Sequence, residues 1–243
     1  RLSAASDVYK SHILWFGKCK KQLNELMNDS KNIQKIILPE PTLRRLPWYL
    51  AYIRMLDNQN IEYVSSTQIA KEINVDASQI AKDLSFLNIK GKTRIGYEVH
   101  SLVRELVDFL GFKRKHRAFM IGVGSLGAAL MQDVGLAQYG LNIVAGFDTN
   151  DEIAGKSICG VPIYHMDELK ARQQEYGVSI AVLAVPVEHA QDAANQAISG
   201  GLKAIWNFTP YRIKAPANIV IQNTSIYAHL ALMYNRMDEM NNK

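Results

Sequence analysis

Gly122-Val123-Gly124-Ser125-Leu126-Gly127 restricts the folding options of this chain more than any other stretch. The apolar run Ala118-Phe119-Met120-Ile121 before it has the length of a buried strand, and residues 128–137 after it read as a helix. A strand that turns through GxGxxG into a helix uses each glycine differently. The first permits a tight turn, the second lets the backbone approach a pyrophosphate, and the third allows close helix–strand packing. The helix N-terminus then offers unpaired N–H groups to phosphate. All six residues of the fingerprint are therefore candidate cofactor contacts.

A second strand over residues 142–147 delivers Asp148, placed 21 residues beyond Gly127. A carboxylate there can accept from both ribose hydroxyls and repels a 2′-phosphate, which favours NAD(H) over NADP(H). Further strands are expected over 161–164, 180–185 and 203–206, with helices over 166–176 and 188–199. That alternation implies a doubly wound parallel sheet with helical crossovers. Strand C-termini border the cleft in such sheets, which adds Val185, Pro186, Asn207, Phe208 and Thr209.

The chain before the fingerprint has a different pattern. Leu43, Leu46, Leu50, Ile53, Met55 and Leu56 recur near a 3.6 period, and Pro47 places the start of that helix at about Leu46. Ser65 followed by Gln68 is a capping box that opens a second helix. After Asn74-Val75, Asp76 with Gln79 opens a third that runs to about Leu87. Two short helices joined by a tight turn form a helix-turn-helix. Ile69, Ala70, Ile73, Ile80, Leu84 and Leu87 supply its internal contacts, and Ser78, Gln79, Lys82 and Ser85 stay on the outer side. Side chains of these types reach base edges and phosphates in a major groove. Lys90-Gly91-Lys92-Thr93-Arg94-Ile95-Gly96-Tyr97 then reads as a wing whose Lys90, Lys92 and Arg94 approach the duplex. A small helical interaction domain is the plainer alternative.

Charge follows the same division. Residues 41–117 hold 13 basic and 8 acidic side chains, whereas residues 118–243 hold 8 and 11. A basic module joined to an acidic one suits a polyanion binder with a chemically different partner domain. At 48% hydrophobic and 21% charged residues the chain is globular, and no run approaches a membrane span. Cys19 and Cys159 match no metal-ligand spacing and fit a reducing cytoplasm. His100, His116, His165, His189 and His229 are scattered without acid or base partners, which argues against hydride-transfer catalysis. Residues 1–37 form a leader, mobile or locally helical, with no assigned function and no secretory cleavage pattern.

Ile226, Leu230, Met233, Met237 and Met240 fall at spacings of 4, 3, 4 and 3, with Tyr227 and Tyr234 beside them. A narrow seam of this kind at the chain end can pack on its own Rossmann core or on a partner subunit; its narrowness favours the partner, and two copies would present two recognition helices to a two-fold operator.

Taken together, these pieces resemble the Rex family of redox-sensing repressors over about residues 38–240. The matching motifs are Arg45-Leu46-Pro47, Ser65-Ser66, Gln79-Ile80, Lys82-Asp83-Leu84-Ser85, Gly96-Tyr97, the glycine fingerprint, Phe147-Asp148, Val185-Pro186 and Asn207-Phe208-Thr209-Pro210. The resemblance implies an α/β chain in four parts. These are a leader (1–37), a winged helix-turn-helix domain (38–115), a Rossmann NAD(H) domain (116–223) and a dimerisation helix (224–243). It further implies a cytoplasmic, non-enzymatic homodimer with a swapped C-terminal helix. That dimer would bind double-stranded operators of respiratory and fermentative genes and be released by NADH, with no membrane and no metal involved. Ala81 stands where the family usually has Arg, and Thr93-Arg94 shifts the wing cation by one place. An Arg, a Tyr and an Asp that couple nicotinamide to the DNA domain in some members correspond to Ala51, Asp133 and Ser225. The alternatives are an NAD-dependent oxidoreductase with an appended interaction domain, and a DNA-binding protein whose Rossmann unit takes another nucleotide such as a CoA derivative.

Overall fold

The computed structural model describes residues 38–87 and 89–241, so the expectations for the leader and Cys19 lie outside the described residues. The chain separates into two compact units, the first ending at Leu106 and the second beginning at Val107.

The first unit contains α1 (Glu40–Asn58), β1 (Tyr63–Val64), α2 (Ser66–Ile73), α3 (Ala77–Ser85) and β2 (Tyr97–Glu98), and leads into α4 (Val99–Phe109). Contrary to expectation, α1 starts well before Leu46 and runs through Pro47. Pro47 removes one amide and costs about 3 kcal/mol in a helix interior. Against that stand Leu46, Tyr49, Leu50 and Ile53, all fully buried on one face. Each contributes about 1.5–3 kcal/mol, so packing outweighs the local defect. Leu43 and Met55, counted on the apolar face from sequence, are exposed, and Tyr49 takes a core position instead. Ile69, Ile80, Leu84, Val99, Leu102 and Leu106 complete this core. The Ser65 capping box forms in both directions: Gln68 N–H donates to Ser65 Oγ at 3.1 Å, and Ser65 N–H donates to Gln68 Oε1 at 2.8 Å. At α3 only half of the expected box exists. Asp76 accepts from Ser78 N–H at 2.7 Å, while Gln79 turns elsewhere.

The second unit is a seven-stranded sheet in the order β5-β6-β4-β3-β7-β8-β9. Its strands are β3 (His116–Ile121), β4 (Leu141–Asp148), β5 (Ser157–Ile158), β6 (Val161–His165), β7 (Ile180–Leu183), β8 (Ala204–Asn207) and β9 (Val220–Asn223). All pairings are parallel except that of the short edge strand β5. Leaving out β5, this is the doubly wound order 3-2-1-4-5-6. Helices α5 (Ser125–Gln132), α6 (Val134–Gln138), α7 (Leu169–Tyr176) and α8 (Ala190–Ser199) lie between the strands in sequence. Phe119, Ile121, Phe147 and Leu183 point into one core, and Ala118, Met120 and Val182 into the other, as strand alternation requires. The helix expected over 128–137 is two helices, broken at Asp133. That carboxylate caps α6 by accepting from Gly135 N–H at 3.2 Å and Leu136 N–H at 3.1 Å. Strand β9 was not foreseen, because its sequence Val-Ile-Gln-Asn lies at an edge and only Ile221 packs against the core.

Helix α9 (Ile226–Asn241) closes the described chain without a single buried side chain. Among the described residues no helix is long and apolar enough to cross a membrane, and no cluster of His, Cys, Asp or Glu could hold a metal ion.

Candidate functional site

In the second unit the sheet reverses direction of growth between β3 and β7, and the crevice beyond their C-termini is where such sheets bind ligands. A cavity of 570 Å³ occupies that position. Gly122, Gly124 and Asp148 line it together with Val185 and Pro186, bringing five of the expected contacts to one place. Each glycine of the fingerprint has a distinct structural reason. Gly122 has φ +87°, and a Cβ there would lie 2.7 Å from the Ala184 carbonyl oxygen. A Cβ on Gly127 would collide with the Gly122 carbonyl oxygen. A Cβ on Gly124 would meet nothing within 4 Å, so this glycine leaves its backbone open to a ligand instead of to the protein. Gly124 is also the N-cap of α5, and the first amides of that helix have no intrahelical acceptor. This cradle fits a dinucleotide pyrophosphate.

Asp148, the candidate ribose acceptor, also has contacts within the chain. Its Oδ2 accepts from Val123 N–H at 2.7 Å and its Oδ1 from Asn150 N–H at 3.0 Å. The carboxylate thus ties the glycine loop to the end of β4, and each oxygen retains a further lone pair for a ligand hydroxyl. Asn207, Phe208 and Thr209 do not line the cavity. Asn207 is buried, donating to the Tyr211 carbonyl and Asn223 Oδ1, and its own Oδ1 accepts from the Thr209 amide and hydroxyl. Phe208 packs against Trp206 with its ring tilted, 4.6 Å between centroids. The side chains of Asn207 and Thr209 bond within the loop after β8. The sequence reading missed His189, Asp192, Ala193 and Gln196, which do line it. Their i, i+3, i+4, i+7 spacing at the start of α8 was the available signal.

In the first unit Ser78, Lys82 and Ser85 form an exposed stripe along α3, spaced i, i+4, i+7. Gln79 departs from the expectation, because its Nε2 donates inward to Asp83 Oδ1 at 2.9 Å. Ala81 is exposed, leaving Lys82 as the sole cation of α3. Ser65 is occupied by its capping box, and Ser66 is half-buried in the first turn of α2. The wing carries Lys90, Lys92 and Arg94, all exposed. Lys92 Nζ donates to the Tyr63 hydroxyl at 2.6 Å, which raises its pKa and steers the cation. Arg94 sits at φ +64° in a three-residue turn closed by Lys92 N–H to the Gly96 carbonyl at 2.7 Å. Burial pushes the Tyr97 phenol up, and Ile95 at the turn is half exposed.

Sequence reasoning also missed the centre of this unit. Asp83 is fully buried and accepts hydrogen bonds from Arg45, Tyr49, Thr42 and Gln79. Burial alone would raise its pKa, but those donors outweigh burial and hold it below the ordinary carboxylate range. A carboxylate sharing a helix face with Ile80 and Leu84 was the clue, since a charge there requires partners.

Two family models cover most of the described chain: one described as "Putative DNA-binding protein N-terminus" matches residues 37–85, and one described as "CoA binding domain" matches residues 113–211. A Bacteroides fragilis protein named redox-sensing transcriptional repressor Rex is 58% identical over 201 residues, which are 83% of this chain and 91% of that one. The chain belongs to the Rex family. A solved Rex-family repressor, RSP, in complex with β-NAD⁺ and operator DNA superposes with a TM-score of 0.79 at 29% identity, over 84% of this chain and 94% of its own. RSP in complex with β-NADH gives 0.76 at 29% identity, over 84% and 96%. The architecture is thus the Rex one, a DNA-binding unit followed by a Rossmann-like unit with a mostly parallel sheet.

Proposed function

We propose that this chain is a Rex repressor that binds operator DNA through α3 and the wing and reads the NADH/NAD⁺ ratio in the crevice between β3 and β7. The observation that carries the reading is the match, over most of both chains, to a repressor solved with NAD⁺ and operator DNA. Its relatives carry the name of a transcriptional repressor, and the oxidoreductase alternative finds no support among them.

The geometry supports the following contacts. Lys82, Ser78 and Ser85 face the major groove, while Lys90, Lys92, Arg94 and Tyr97 belong to the wing. Gly122 through Gly127, Asp148, Val185 and Pro186 hold the cofactor. Bound NAD⁺ carries a positive nicotinamide that NADH lacks, so a site of fixed polarity separates the two. Conversion of a 1:99 balance to 99:1 takes about 5.5 kcal/mol of differential binding. In this reading NADH releases the protein from operators of respiratory and fermentative genes in the cytoplasm. Gel-shift titration against both cofactors tests it, and operator affinity indifferent to their ratio rejects it.

The functional particle is a homodimer joined through α9. A 16-residue helix with no buried side chain is marginal in water by itself; its Ile226, Tyr227, Met233 and Met237 are exposed and Leu230 is half-buried, a seam that suits an apolar partner. Sedimentation of wild type against Leu230→Glu with Met233→Glu checks this, and equal masses exclude it.

The model matching residues 113–211 is described by coenzyme A, whereas the solved relatives hold NAD⁺ and NADH. Calorimetry with NADH and with acetyl-CoA on the same preparation separates the two nucleotides.

A further inference from the structure

Lys113-Arg114-Lys115-His116-Arg117 takes no part in either site above. All five side chains are exposed. Among the described residues no carboxylate lies within ion-pair distance of Lys113, Arg114 or Lys115, and none of the three makes a side-chain hydrogen bond. Arg117 alone is held, with Nη1 donating to the Tyr176 carbonyl at 2.8 Å. The remainder of the chain, residues 118–243, is acidic, with 8 basic side chains against 11 acidic ones. Neighbouring cations repel one another, and a polyanion removes that repulsion.

The cofactor cannot be that polyanion. The run ends in the first residues of β3, and the crevice lies at the opposite, C-terminal end of the same strand. A strand of this length, at about 3.3 Å per residue, separates the two by about 20 Å. Exposed Lys203, just before β8, adds a cation to the same N-terminal edge of the sheet.

We infer that this edge is a second, sequence-independent DNA contact in which Lys113, Arg114 and Lys115 take phosphates flanking the operator. The inference rests on the operator-binding reading of the first unit. The run begins seven residues after Leu106, so the chain itself tethers it to whatever duplex that unit holds. Residues 107–109 complete α4 and turns follow, so the tether is shorter than the ~25 Å of an extended one, and a duplex offers a charge about every 1.7 Å of its axis. An anionic bilayer fits less well. Phe112, the adjacent aromatic, is packed edge-on against Tyr139 at 5.0 Å instead of being free to insert.

The test compares the full chain with the triple variant Lys113→Gln, Arg114→Gln, Lys115→Gln on an operator duplex with long flanks, across a salt series. Every phosphate that the variant no longer neutralises makes the slope of log K against log salt shallower by about 0.9. The expected result is a slope shallower by one to three such steps and binding about tenfold weaker near physiological salt, with NADH affinity unchanged. An unchanged slope overturns the inference, as does loss of binding to phosphatidylserine vesicles in place of a change on DNA. If wild type itself does not bind the operator, the reading of the first unit fails instead, so the two failures are distinguishable.

Discussion

Arg45 meets Asp83 at two points, Nε to Oδ2 at 2.7 Å and Nη2 to Oδ1 at 2.9 Å, and so fastens α1 to the last turn of α3, the helix proposed to read DNA. Tyr49 adds a third bond at 2.7 Å. The orientation of Lys82, one residue earlier, is set by this buried carboxylate. Removing one member leaves the other charge without its partner, which costs about 3–5 kcal/mol. Asp83→Ala is therefore expected to lower the melting temperature strongly. The double variant Arg45→Met with Asp83→Leu should recover much of that loss. Thermal denaturation of the three proteins decides the matter, and a double variant as unstable as the single contradicts the assignment.

The same carboxylate predicts a pH dependence. Its pKa is lowered in the folded state, so its stabilisation is complete above the unfolded carboxylate value of about 3.9. That contribution disappears as pH falls below this value toward the folded pKa. Tyr49 is shifted upward, chiefly by burial, so its contribution is complete below about 10 and is lost as pH rises beyond it. Urea midpoints measured between pH 3 and 7 should fall toward acid in wild type and be flatter in the Arg45→Met, Asp83→Leu protein.

Two glycines of the fingerprint should respond in opposite ways to alanine. Gly127→Ala places a Cβ against the Gly122 carbonyl and is expected to destabilise by about 1–3 kcal/mol. Gly124→Ala meets only open space, so the melting temperature should hold while NADH affinity drops at least tenfold. Calorimetric titration with NADH beside a melting curve reads both. An alanine at 124 that binds NADH normally would move the pyrophosphate elsewhere.

Asp148→Ala removes the tie on the Val123 amide together with the candidate ribose acceptor. NADH affinity should fall by about tenfold or more, the loss of one charge-assisted hydrogen bond. Asp148→Asn, whose Oδ1 can still accept, should fall less. Equal affinity across wild type and both variants takes this residue out of the site.

Arg94 holds a left-handed backbone that costs a non-glycine residue about 1–2 kcal/mol. Arg94→Gly relieves that strain and deletes a cation. The melting temperature should rise or hold while operator binding weakens and its salt slope becomes shallower. A variant that is both less stable and equally tight on DNA contradicts this picture of the wing.

Much of this was legible in the amino-acid sequence. The glycine fingerprint, Asp148, the Ser65 capping box and the stripe of Ser78, Lys82 and Ser85 depend on local chemistry, and local chemistry is written in adjacent residues. What escaped depends on distant partners. Pro47 looks like a helix boundary until Leu46 and Tyr49 are seen packed on either side of it. Gln79 looks like a base reader until Asp83, four residues on, claims its amide. Asn207 and Thr209 border the crevice by sequence logic, yet they satisfy one another. Asp133 replaces an expected coupling residue, and its carboxylate is spent on capping α6.

In the homodimer proposed above, helix α9 sets a condition on when the protein can work. Since it buries no side chain against its own chain, its order follows mass action, and two molecules must meet before the last helix settles. Dilution then acts as an off switch independent of any coenzyme. Repression would then fall more steeply than in proportion to copy number, because the dimer varies as the square of the free monomer.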